Sequence, residues 1–147
     1  MALFRVERHP ALPAADAWHR VTDWERHAVG IPLTRVSLQP GAPAGQGGRF
    51  TARTGWRRLG FDDPMEITVW RPPAGPGEPG LCRLEKRGRW VRGWAEIEVY
   101  EEGAGVSRVV WREELRPYGL PRALDPLLAA AARRVFGRAL ARLLRAA

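Results

Sequence analysis

LPRALDPLLAAAARRVFGRALARLL, residues 120–144, is the stretch on which the fold turns. At 3.6 residues per turn it forms a helix with two unlike faces. Leu128, Ala132, Val135, Phe136, Ala139, Leu140 and Leu143 share one side, and Arg134, Arg138, Arg142 and Arg145 share the other. The helix begins near Pro121 or, more sharply, with Asp125 as N-cap and Pro126 in first position. At 1.5 Å per residue, a helix of about twenty residues reaches about 30 Å, enough to cross a sheet. A lone terminal helix that follows a series of strands buries its apolar face by lying across their sheet. A curved sheet closing on one helix encloses a cavity, so the order of elements already points to a ligand holder.

Strands are what precede it. Leu3 to His9 alternates as a first strand, and Pro10 and Pro13 stop it. Pro13-Ala14-Ala15-Asp16 opens a helix carrying Ala17, Trp18 and Val21 at core-like spacing. Asp23 caps a second, short helix from Trp24 to Ala28, ended by Gly30 and Pro32. The period then changes to two. Strands are expected over 33–38, 49–54, 65–71, 81–87, 92–101 and 107–116, with residues 56–63 an irregular connection. Residues 72–80 hold four prolines and three glycines and read as a turn. Gly88 and Gly103-Ala104-Gly105 mark short connections, which favour antiparallel hairpins. Repeats and linkers are missing from this pattern, so residues 1–147 are expected to form one domain.

The composition narrows the function classes. With 147 residues, 45% hydrophobic and 27% charged, the chain reads as an ordinary globular protein with one core. Its start carries charges where a signal peptide needs an apolar segment, and no apolar run reaches the ~18 residues of a membrane span. A single cysteine, Cys82, excludes an internal disulfide, and a cytoplasmic setting is expected. The net charge of +8 is nearly all arginine, because Lys86 is the only lysine. Those arginines are spread over every segment, so nucleic-acid binding is not expected. A module that uses the basic helix face on RNA or an acidic protein is the third reading.

Alternation sorts the strand residues into an apolar face and a charged one. The apolar sets are Phe50, Ala52, Thr54; Met65, Ile67, Val69; Cys82, Leu84, Lys86; Ala95, Ile97, Val99; and Val109, Trp111, Glu113. Lys86 and Glu113 break this face. Either each ends a strand at a solvated rim, or the two pair or anchor a ligand inside an apolar space, where an unpaired charge costs several kcal/mol. His27, on the second helix, is read as a partly exposed helix histidine, with a ligand or acid/base role as the alternative. Weak catalytic candidates are therefore Lys86, Glu113 and His27. Asp62 and Asp63, before Pro64, are read as turn residues bonding to local backbone rather than as a base pair or cation site. Trp18, Trp24 and Trp111 suit the core or a cavity wall; Trp56, Trp70, Trp90 and Trp94 fall on loops or the outer face. Ala129 to Ala132 either seat the helix tightly or leave ligand volume. Three scattered histidines and one distant cysteine make no metal site, and neither a phosphate loop nor a serine elbow is present, so no cofactor is expected.

Phe4-x-Val6 leading into Pro13-Ala14-Ala15-x-x-Trp18, then Asp23-Trp24-x-x-His27 followed by Ile31-Pro32, then the terminal helix, resembles the START-like superfamily. This superfamily includes polyketide cyclases/dehydrases, pollen-allergen-type ligand carriers and lipid-transfer domains. The resemblance spans essentially the whole chain. It implies an α+β helix-grip fold, a seven-stranded antiparallel sheet wrapped around the long C-terminal helix, with two short helices after the first strand. It transfers no catalytic residue, because the superfamily has no universal one. The expected function is binding of a small hydrophobic ligand, lipid-like or aromatic, between sheet and helix; the alternative is a cyclase/dehydratase acting on a polyketide-like substrate. The expected walls are Phe50, Ala52, Thr54, Met65, Ile67, Leu84, Lys86, Ile97, Val109, Trp111 and Glu113 from the strands, with Ala132 and Phe136 from the helix.

Overall fold

The computed structural model describes residues 2–31, 33–56 and 58–145. Pro32, read as part of the second helix's stop, and Arg57, in the expected connection, lie outside them. Strand β1 (Ala2–Arg8) leads into helices α1 (Ala14–Val21) and α2 (Trp24–Gly30). Strands β2 (Thr34–Leu38), β3 (Arg49–Trp56), β4 (Leu59–Arg71), β5 (Gly80–Lys86), β6 (Val91–Gly103) and β7 (Val106–Pro117) follow. A 3-10 turn (Arg122–Leu124) precedes α3 (Asp125–Arg145). The seven strands form one antiparallel sheet in the order β1-β7-β6-β5-β4-β3-β2, so β1 closes onto the last strand and β2 is the far edge. This is the expected arrangement of sheet, two short helices and long terminal helix.

Alternation is cleanest in β5, β6 and β7. Cys82, Leu84, Ala95, Ile97, Val99, Val109 and Trp111 are all buried, while Arg83, Glu96, Glu98 and Arg112 form ion pairs across the other face. Each large apolar side chain buried this way contributes about 1.5–3 kcal/mol. At Gly93 the β6 backbone has φ +134°, and a Cβ there would stand 1.9 Å from the Glu114 carbonyl oxygen. Only glycine allows that approach between β6 and β7.

Two expectations about β4 are corrected. Residues 59–63 are not an irregular connection but the first half of this strand, paired with β3 from Trp56↔Leu59 to Phe50↔Met65. Pro64 is tolerated there for a geometric reason. Its carbonyl accepts from the Arg87 N–H at 2.8 Å, so its missing N–H lies on the same side, where β5 has already ended at Lys86. Farther along, the register with β5 slips between Ile67 and Val69. The extra residue flips the phase. Val69, expected inward, stands opposite outward-facing Arg83; Trp70, expected outward, stands opposite Cys82 and meets Trp18 edge-on at 5.0 Å.

Helix α3 packs most heavily against β1, then against α2 and α1. Ala132, Ala139, Leu140 and Leu143 are buried and Arg134, Arg138, Arg142 and Arg145 exposed, as the two faces require. Phe136 is half-buried and stacks on Phe4 at 5.2 Å. Because α3 leans on the β1 edge, the opposite half of the sheet is roofed by α2, which touches β2 and α3. A space remains under that roof. Among the described residues, no helix is long and apolar enough to cross a membrane.

Candidate functional site

The space is a pocket of about 90 Å³. Its roof is Trp24, His27 and Ile31 of α2 and its end; its floor comes from β3, with Phe50, Ala52 and Thr54, and from Met65 and Leu84. Thr34 and Val36 of the edge strand close one side, and Trp111 and Phe136 the other. The walls are largely aromatic. Trp24 stacks on Phe50 at 4.8 Å, and Trp111 lies 5.3 Å from both His27 and Phe136.

Three charged side chains project into this apolar setting: Asp63, Lys86 and Glu113. They arrive from β4, β5 and β7 because the inward alternation of each strand runs through them: 63-65-67, 82-84-86 and 109-111-113. All three residues are buried, at 8%, 8% and 2% exposure, with the Asp63 side chain the most open of the three at 12%. The rim reading of Lys86 and Glu113 is therefore corrected. Lys86 does find a carboxylate, but its hydrogen-bonded partner is Asp63, with Nζ donating to Oδ2 at 2.5 Å and a longer contact of 3.9 Å to Met65 Sδ. Asp63 is thus not a turn residue. Strand alternation splits the aspartate pair: Asp62 points out to Arg53 at 2.9 Å, and Asp63 points in.

Glu113 Oε1 accepts a long bond from Trp111 Nε1 at 3.4 Å. Its Oε2, and Oδ1 of Asp63, are buried with no hydrogen-bond partner. Burial pushes the Glu113 carboxyl up to about 7; Lys86 opposes that rise and Asp63 adds to it. For Lys86 burial alone favours the neutral amine, but Glu113 and then Asp63 outweigh it and hold its pKa above the ordinary lysine value. The group is an ammonium, which donates hydrogen bonds and is not a nucleophile.

His27 is buried too, which corrects the partly exposed reading. Its Nε2 donates to the Val21 carbonyl at 2.7 Å. Burial lowers its pKa, against the opposing pull of that carbonyl and of Asp23, so the ring is neutral and fixed by α1. Among the described residues no three His, Cys, Asp or Glu side chains gather to hold a metal ion.

Of the expected walls, Phe50, Ala52, Thr54, Met65, Leu84, Lys86, Trp111, Glu113 and Phe136 line the pocket. Ile67, Ile97, Val109 and Ala132 do not; they are buried in the core. Ile97 and Val109 share the inward face but lie farther along their strands, away from Lys86 and Glu113. Sequence reasoning missed Asp63, and counting back by twos from Met65 would have reached it. Larger hollows of 360, 520 and 400 Å³ lie elsewhere, beside α2, at the end of β1 and along α3. Neither Asp63, Lys86 nor Glu113 lines any of them, so the three buried charged groups face the smaller pocket alone among these hollows.

No family model and no curated protein matches the sequence. Solved structures do match in shape. A START superfamily protein from Mycobacterium smegmatis aligns with a TM-score of 0.71 at 12% identity, over 97% of both chains. A Streptomyces aromatase/cyclase aligns at 0.65 and 15% identity, over 97% of this chain and 92% of its own. Norcoclaurine synthase from Thalictrum flavum, solved with dopamine and hydroxybenzaldehyde, aligns at 0.65 and 12% identity, over 97% and 85%. With the sheet order and the terminal helix, these matches show that the chain has the START-like, helix-grip fold.

Proposed function

We propose that the chain binds a small, mainly apolar molecule in the pocket between α2, α3 and strands β2–β5 and β7. One observation carries this reading: an aromatic-walled pocket that holds three buried charged groups at one end and is not filled by side chains. Ligand pockets for drug-sized molecules run to about 300–1,000 Å³. A 90 Å³ space therefore suits a small ligand, and a larger one enters only as α2 or half-buried Phe136 moves. The reading includes one domain over residues 1–147 and, from the single buried cysteine, a cytoplasmic setting. The solved neighbours that include an aromatase/cyclase and a synthase holding two aromatic molecules support an aromatic ligand. Native mass spectrometry of gently purified protein is expected to show the chain with one small-molecule adduct. Ala52→Phe, which fills the floor, should reduce its occupancy at least ~tenfold. An adduct retained in full by the filled variant, or none on either protein, defeats the proposal.

A second reading, proton-transfer chemistry of the cyclase/dehydratase kind on a polyketide-like substrate, is favoured by Glu113. A carboxyl titrating near 7 beside an ammonium is suited to accept and return a proton at neutral pH. In this reading Glu113→Gln abolishes conversion of the bound molecule while adduct formation persists. Conversion at an unchanged rate in that variant excludes Glu113 as the acid/base.

A further inference from the structure

From the two unpartnered carboxyl oxygens at the end of the pocket, we infer that the ligand is a small ring compound with a hydroxyl group at its buried end. This rests on the pocket being a binding site, as proposed above. Asp63 Oδ1 and Glu113 Oε2 are buried, line the pocket or belong to residues that do, and have no hydrogen-bond partner. A buried acceptor left dry is costly, and native structures rarely leave one. Beside them the Lys86 ammonium has three N–H groups, with Asp63 Oδ2 and Met65 Sδ as its hydrogen-bonding contacts. The end of the pocket therefore offers acceptors and a donor together.

Four kinds of ligand end can be compared against that inventory. A hydrocarbon leaves both oxygens dry. A carboxylate brings a third acid to a place where the described residues already supply two acids and one cation. An ammonium satisfies the oxygens but stands against Lys86. A hydroxyl donates to one of the two oxygens, Asp63 Oδ1 or Glu113 Oε2, and accepts from Lys86, so it meets an acceptor and the donor together without adding charge. The rest of the molecule is set by the walls. Trp24, Phe50, Trp111 and Phe136 present ring faces and edges, which suit a flat ring. The 90 Å³ volume favours a single one.

The test uses three probes of one shape: ethylbenzene, 4-ethylphenol and 4-ethylbenzoate, titrated into the full chain and followed by calorimetry and by tryptophan fluorescence. The phenol is expected to bind at least ~tenfold more tightly than the hydrocarbon, in line with a hydrogen bond to a charged group. The benzoate should be the weakest of the three. In Glu113→Leu the preference for phenol over hydrocarbon should shrink at least ~threefold. Equal binding of phenol and hydrocarbon, or a preference for the benzoate, overturns the hydroxyl inference and leaves the apolar pocket standing. Failure of all three probes to bind overturns the inference and the binding proposal together. The ratio in the unaltered protein decides the matter, so a variant that does not fold changes nothing.

Discussion

Lys86→Met should destabilise the fold by about 3–5 kcal/mol, the cost of breaking a buried ion pair from one side. The substitution keeps the length of the side chain, so little packing is lost. What is lost is the only cation among the described residues that line the pocket with Asp63 and Glu113, both buried and each with one oxygen already unpartnered. The buried carboxyls would then be left without a countercharge or have to admit water, and either response is measured as lower stability near neutral pH. Urea denaturation reads the change as a lower midpoint with an unchanged slope. Adding Asp63→Leu and Glu113→Leu to the same chain should restore most of the loss, since an apolar trio of similar size often equals or exceeds a buried ionic one. If Lys86→Met alone costs under ~1 kcal/mol, the carboxylates are solvated and the site is not the dry pocket described. If the triple variant recovers, the charges are not needed to hold the fold together, and their role lies in binding or in proton transfer.

The terminal helix and the strands were legible because burial imposes a period, and the period is written in residue type. Leu128, Ala132, Leu140 and the exposed arginines between them fix the helix faces, and 82-84-86 and 95-97-99 fix two strands with no outside information. Asp63 was hidden because Asp-Asp-Pro is also what a turn looks like. The context that overrides this reading is the early end of β5, which leaves no partner in need of the N–H that Pro64 lacks, and that depends on where another strand stops. Val69 and Trp70 exchanged places for a similar reason. A bulge adds one residue to a register shared by two strands, and neither strand's composition announces it. Lys86 and Glu113 were legible as anomalies on an apolar face. The actual hydrogen-bond partner of Lys86 was not, because pairing across a sheet depends on register as well as on facing the same way. The pocket itself, finally, depends on α3 leaning toward β1 and leaving the β2–β5 half to α2, a matter of packing geometry with no local mark in the sequence.

As pH rises from about 4.5 through about 7 the protein carrying Glu113 should lose stability relative to Glu113→Gln, by roughly 3 kcal/mol in total. Glu113 titrates at about 7 when folded, against an ordinary value of 4.5. In the window between those values the folded chain holds a proton that the unfolded chain has released. Rising pH therefore favours the unfolded state, and the loss is complete once pH exceeds the folded value. The difference from the glutamine variant is needed because His27 works in an overlapping window with the opposite sign. Burial lowers its pKa, so its contribution is present above 6.5 and is lost as pH falls. Lys86, raised above the ordinary lysine value, stays charged throughout and cancels in the comparison. Thermal or urea unfolding of both proteins at half-unit steps gives the difference curve. A flat difference would mean that Glu113 titrates as it does in water and that the end of the pocket is wet. A slope centred between 4.5 and 7 would mean that a neutral carboxylic acid is held beside the Lys86–Asp63 pair at the acid end of the range. There it can donate as well as accept, which is the state in which a ligand hydroxyl is met from both sides.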